Sequence, residues 1–107
     1  MIHNDLKKQD VFSLLDNSKG VKLLVFYADW CGPCKMLYAN TLTELDQKDN
    51  VEILRVNIDK NRDFAREMNI TSIPYIQIYK DAKYVTALSG YLPYSELKSV
   101  LDKVSKE

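Results

Sequence analysis

The sequence predicts an α/β fold: a central mixed β-sheet flanked by α-helices on both faces. Three observations lead there. Two apolar runs rich in β-branched and aromatic residues, "VKLLVFYA" and "VEILRVNI", are separated by a stretch of helical periodicity long enough for a crossover. Two further strand-like runs, "YIQIYK" and "YVTALS", stand close enough together to form an antiparallel hairpin. The 107 residues, 46% of them hydrophobic, suit one core, and no repeat, low-complexity tract or linker divides them. Residues 1–107 are therefore expected to form a single domain.

The elements follow in order. Lys7 to Asp16 carries Val11, Phe12, Leu14 and Leu15 on one side and predicts a short amphipathic helix. "NSKG" stops it, with Gly20 available for a positive φ. "VKLLVFYA" is continuous rather than alternating, which suits a strand covered on both faces. Met36, Leu37, Leu42 and Leu45 recur at helical intervals, so a helix is expected from Cys31 to about Lys48, ended by "KDN". "VEILRVNI" supplies a second central strand. "DKNRDFAREMN" gives a short helix with Phe64 and Met68 four apart, facing the core. After the hairpin, "YSELKSVLDKVSKE" closes the chain with Leu97, Val100, Leu101 and Val104 at i, i+3, i+4 and i+7. Strand–helix–strand units argue for a parallel pair with right-handed crossovers, and the hairpin adds antiparallel strands.

Composition narrows the function. Fifteen basic and fifteen acidic residues cancel, so nothing in the charge favours nucleic acid. The longest uninterrupted apolar stretch, Leu23 to Ala28, is far short of the ~20 residues of a membrane-spanning helix. "MIHNDLKKQD" is polar and lacks the apolar middle of a signal peptide. A cytoplasmic protein is expected, or a periplasmic or secreted one if a leader has been removed. Two cysteines are too few for a disulfide scaffold. A structural zinc site takes four ligands, and only Cys31, Cys34 and His3 are of the usual kinds, so zinc would need carboxylates or a second chain. No metal is expected.

The chemistry concentrates in "LLVFYADWCGPCKML". A Cys-x-x-Cys at the start of a helix puts the first thiol where unpaired N–H groups and the positive end of the dipole converge. That environment favours thiolate and lowers the pKa of Cys31. Gly32 lets a partner's backbone approach, and Pro33 suits a first turn because its missing N–H costs nothing there. Cys34, one turn inside, reaches back to Cys31 but not easily outward. The asymmetry suggests an exposed attacker and a shielded resolver.

"WCGPCK" (Trp30 to Lys35), "VNID" (Val56 to Asp59), "SIPY" (Ser72 to Tyr75) and Gly90 stand in order across nearly the whole chain. In these the sequence resembles the thioredoxin family. The resemblance implies the thioredoxin fold, with a cis peptide between Ile73 and Pro74 lying beside the cysteines. It implies a reductase of protein disulfides in which Cys31 attacks and Cys34 releases the reduced substrate. It further implies a monomer that needs no bound cofactor and draws electrons from a separate reductase. Trp30 reads as a partly exposed flat surface for substrates, set against the bland alternative of a core tryptophan. Asp59 resembles the aspartate that hydrogen-bonds the aromatic residue before the motif, here Tyr27. Lys35 reads as a solvated lysine lending at most some positive charge, and His3 as a surface residue without a role.

Four departures from the family pattern bear on mechanism. Val25 stands where a buried aspartate usually helps proton transfer at the resolving cysteine, leaving that proton to water or to the departing thiolate. Arg55 replaces a lysine-like base and cannot deprotonate as lysine can. Tyr75 follows Pro74 in place of threonine, and Ala39 replaces a helix-kinking proline. Proton handling, substrate choice and reductase recognition are affected, while fold and dithiol chemistry are not. Two rival readings share the fold. An envelope dithiol oxidoreductase acting on exported proteins would show a more oxidising equilibrium against glutathione, where about 30 mV corresponds to ~1.4 kcal/mol. A non-catalytic binding module using the Trp30–Pro74 surface would function fully without either cysteine.

Overall fold

A computed structural model of the chain describes residues 1–16 and 19–107. Among these the order is β1 (Ile2–His3), α1 (Lys8–Asp16), β2 (Val21–Tyr27), α2 (Gly32–Leu37), a π-helical segment (Tyr38–Leu42), α3 (Thr43–Asp49), β3 (Glu52–Asn57), α4 (Arg62–Glu67), β4 (Tyr75–Lys80), β5 (Lys83–Ser89) and α5 (Tyr94–Ser105). The sheet runs β1-β3-β2-β4-β5. β3 is parallel to both β1 and β2, while β4 runs antiparallel to β2 and β5 antiparallel to β4.

The central place of β2 explains its unbroken apolar run. Leu23 and Val25 enter one core layer, with Leu37, Leu42 and Leu45 from the long helical stretch and Leu97, Leu101 and Val104 from α5. Leu24 and Phe26 enter the other, against Val11 and Leu15 of α1 and Phe64 of α4. Burying each such side chain stabilises the fold by roughly 1.5–3 kcal/mol. At the end of β2 a third, smaller cluster gathers Tyr27, Ala28, Cys31 and Cys34. The strand thus delivers both cysteines to the rim of the core.

Several details differ from the sequence expectation. β1 was not foreseen, because two residues cannot display a period; Ile2 pairs with Ile53, and Ile53 N–H donates to Met1 O at 3.0 Å. This strand half-buries His3 instead of leaving it on the open surface. The helix expected over 31–48 is interrupted at Tyr38–Leu42, where Thr43 N–H reaches Tyr38 O, five residues back. Ala39 lies in this segment, and the buried Thr41 hydroxyl donates to Leu92 O at 2.6 Å. The hairpin turns on Asp81 and Ala82, whose φ values of 51° and 69° are those a two-residue hairpin demands. Asp81 Oδ1 accepts from Gly20 N–H at 2.8 Å, and Gly20 takes a φ of 87°. Asn17 and Ser18, part of the expected helix stop, lie outside the described residues. Among those described, no helix is long and apolar enough to cross a membrane.

Candidate active site at the end of the central strand

The turn between β2 and α2 is tied by Cys31 N–H donating to Ala28 O at 3.3 Å. Cys31 caps α2 with extended backbone (φ −90°, ψ 108°), and its Sγ accepts from Cys34 N–H at 3.2 Å. Pro33 sits in the first turn, where its missing N–H leaves no gap in the ladder. The two cysteines are joined as a disulfide, with Cα atoms 5.2 Å apart. Cys31 is 5% exposed and Cys34 3%, so in this oxidised state the expected contrast between exposed and shielded thiol is absent from the surface. It lies in position instead. Cys31 receives the helix-start N–H, whereas Cys34 lies inside the first turn.

One flank of the disulfide is apolar. Trp30 is 69% exposed and its Nε1–H donates to Asp59 Oδ2 at 2.7 Å. This corrects the expected Tyr27–Asp59 contact: the aspartate holds the tryptophan itself. Asn57, buried at the end of β3, steadies that loop by accepting from Asp59 N–H at 2.9 Å. Ile73 O lies 4.0 Å from Cys31 Sγ, and the Ile73–Pro74 peptide is cis. Gly90 N–H donates to Pro74 O at 2.9 Å, and its φ of 87° is one that a side chain would strain. Trp30, Ile58, Ile70, Thr71, Ser72 and Ile73 enclose a cleft of about 150 Å³.

The opposite flank is charged. Tyr27, Ala28, Asp29, Cys34, Lys35 and Arg55 line a cavity of about 260 Å³. The Arg55 guanidinium lies between two rings, 3.9 Å from the Tyr27 centroid and 4.3 Å from that of Tyr38. Its Nη1 donates to Asn4 Oδ1 at 2.7 Å, while its buried Nε has no hydrogen-bond partner. Burial pulls the Arg55 pKa below its ordinary value, opposed by Tyr27, Tyr38, Asp5 and Asp29. The group nonetheless stays protonated at any physiological pH. Val25, across the ladder from Arg55, is buried and contributes no charge. Lys35 is exposed at the cavity's edge.

Larger clefts, about 620 Å³ beside β1 and about 470 Å³ between α1 and α4, contain neither cysteine, so the chemistry is placed by the sulfurs and not by volume. Among the described residues no group of three or more His, Cys, Asp or Glu side chains is placed to hold a metal ion. Sequence reading missed Asn57 and the Arg55–Cys34 cavity. The first had a signal, an asparagine closing a strand just before Asp59. The second depends on the parallel register of β2 and β3.

A disulfide closed across the first turn of a helix, at the end of a central strand and beside a cis proline, marks a thiol–disulfide oxidoreductase. The Thioredoxin family model matches residues 3–103. Thioredoxin of Bacillus subtilis is 36% identical over 100 residues, covering 92% of this chain and 95% of that protein. Thioredoxin of Staphylococcus haemolyticus is 42% identical over 86 residues, covering 78% and 82%. The X-ray structure of Fasciola hepatica thioredoxin superposes with a TM-score of 0.78 at 26% identity, over 91% of this chain and 93% of that one. The chain belongs to the thioredoxin family, and its activity is thiol–disulfide exchange.

Proposed function

We propose that this single domain reduces disulfides of protein substrates as a cytoplasmic monomer, recharged by a separate electron-donating reductase. Cys31 is the nucleophile. Its thiolate attacks one substrate sulfur, the substrate's S–S bond breaks, and a mixed disulfide forms. Cys34 then attacks Cys31, expelling the substrate's second thiolate and leaving the Cys31–Cys34 disulfide. Two electrons pass from the dithiol to the substrate. Trp30, Ile73, Pro74 and Gly90 form the surface on which the substrate lies. Gly32 and Pro33 leave the approach open, and Asp59 holds Trp30 in place.

The observation that carries this reading is the Cys34 N–H directed at Cys31 Sγ at 3.2 Å, since a donor aimed at sulfur favours its thiolate once the disulfide opens. Insulin reduction with dithiothreitol as electron source tests it. The parent should accelerate precipitation of the insulin B chain and Cys31→Ser should not; equal rates for the two would sink the reading.

A further inference from the structure

We propose that Arg55 is a positioning residue for the second thiol, its fixed guanidinium stabilising the Cys34 thiolate across the cavity they share. The inference rests on the dithiol reading above and concerns its second step.

Cys34 must lose a proton before it attacks, and among the described residues no buried carboxylate stands beside it to take that proton. Val25 is apolar, and Asp59 is engaged by Trp30 on the other flank. The charged groups on the cavity wall are Asp29, Lys35 and Arg55, with Tyr27 the remaining titratable one. Asp29 and Lys35 are exposed and of opposite sign, so solvent and salt screen both. Asp5, the other carboxylate acting on Arg55, is exposed and pairs with Lys60 at 3.5 Å. Arg55 is only partly exposed, clamped between Tyr27 and Tyr38, and among the described residues forms no ion pair. Its charge is therefore the least screened on that wall.

The cavity, about 260 Å³, has room for several waters at roughly 30 Å³ each. The Cys34 proton passes to that water. The thiolate's electron pair forms the bond to Cys31 Sγ, the bond from Cys31 to the substrate sulfur breaks, and the substrate leaves as a thiolate that water reprotonates. Arg55 itself transfers nothing, so its contribution does not switch off at any physiological pH.

The test uses the full chain with Cys31→Ser, in which Cys34 is the remaining thiol. The pH midpoint of its alkylation by iodoacetamide is read by mass spectrometry. With Arg55 in place the midpoint should lie below the ~8.5 of a free thiol, although burial alone would raise it. Arg55→Gln should raise it by about one unit, a tenfold loss of thiolate near neutral pH, and Arg55→Lys should track the parent. A midpoint at or above ~8.5 with Arg55 present overturns the proposal without any Arg55 variant having to fold. So does an Arg55→Gln protein of native circular dichroism with an unmoved midpoint, or an Arg55→Lys protein that behaves like the glutamine variant. Failure of the chain with both cysteines to reduce insulin would instead overturn the reductase reading, whatever the midpoint.

Discussion

The two flanks of the disulfide are built for different work. Toward Trp30 the cleft is lined by an indole, three isoleucines and two small hydroxyls, with no charged side chain. Toward Cys34 the wall holds Asp29, Lys35 and Arg55. An apolar, uncharged cleft accepts groups by shape and area, which suits substrates of varied sequence. A partly buried cation does something narrower, biasing the charge state of one neighbouring atom. In the proposed mechanism recognition and proton handling are separated by the width of one disulfide, so each should be open to perturbation without the other.

The largest expected effect comes from Cys34→Ser. The apolar flank still receives substrate and Cys31 still attacks, but no thiol follows. A covalent adduct should accumulate on Cys31 and turnover fall to background, which non-reducing gels and intact mass will show; free turnover would mean that the two steps are not divided as described. Next is Val25→Asp. A carboxylate buried in the first core layer should cost roughly 2 kcal/mol in urea melts. Lying across the ladder from Arg55, it should also cancel part of that cation and raise the Cys34 alkylation midpoint in a Cys31→Ser background. A variant as stable as the parent would show the rear to be far more polar than its lining suggests.

Trp30→Ala should act on the other flank alone. KM for insulin should rise about tenfold, equivalent to 1.4 kcal/mol, while stability stays within about 0.5 kcal/mol because the ring is exposed. A shift in the Cys34 midpoint would break the proposed separation.

Two distant substitutions sharpen the comparison by leaving both flanks untouched. Asp49 accepts from Tyr94 Oη–H at 2.8 Å and from Lys98 Nζ at 3.0 Å, joining α3 to α5. Burial raises its pKa, but the hydrogen bonds from Lys98 and Tyr94, with the charges of Lys98 and Lys48, outweigh burial and hold it below its ordinary value. A depressed carboxyl pKa contributes stability at neutral pH that disappears as pH falls through the folded-state value. Asp49→Asn should therefore cost at most about 1 kcal/mol at pH 7, given Lys98's access to solvent. The gap should begin to close as pH falls below about 3.8 and be gone below the lower folded-state value. Smallest is Ala82→Gly. Ala82 has a φ of 69°, which disfavours a Cβ, so glycine should gain roughly 0.5 kcal/mol in thermal or urea melts.

What the sequence made legible follows from which forces are local. Periodicity exposed every element long enough to show one, and the turn chemistry at Gly20 and the short gap between the last two strands marked the loops. The positions of Cys31 and Cys34 could be read directly, because a strand-to-helix motif is itself local, whereas the cis Pro74 beside them was legible only through the family resemblance. β1 escaped because Ile2 and His3 gain their conformation from β3, some fifty residues away. The partner of Asp59 escaped for a similar reason. Tyr27 and Trp30 are both aromatic and near the motif, and only the fold turns Tyr27 under Arg55 while leaving Trp30 to reach the carboxylate. The charged cavity needed the β2–β3 register, in which Val25 faces Arg55.

The π-helical segment sets the angular bearing of the two halves of its helix. Each residue of an α-helix advances the side chains by about 100°. Before the segment Leu37 must enter the core layer shared with α5, and Leu42 and Leu45, five and eight residues further on, must enter that same layer. The wide turn at Tyr38–Leu42 absorbs the residue by which those two requirements disagree. Forcing an unbroken α-helix through these residues with none removed would swing everything beyond them by about 100°, carrying Leu45 off the core and Thr41 away from Leu92 O. Tyr38, which covers Arg55, lies at the start of the same turn. The compass that aims the core therefore also keeps the lid on the cation.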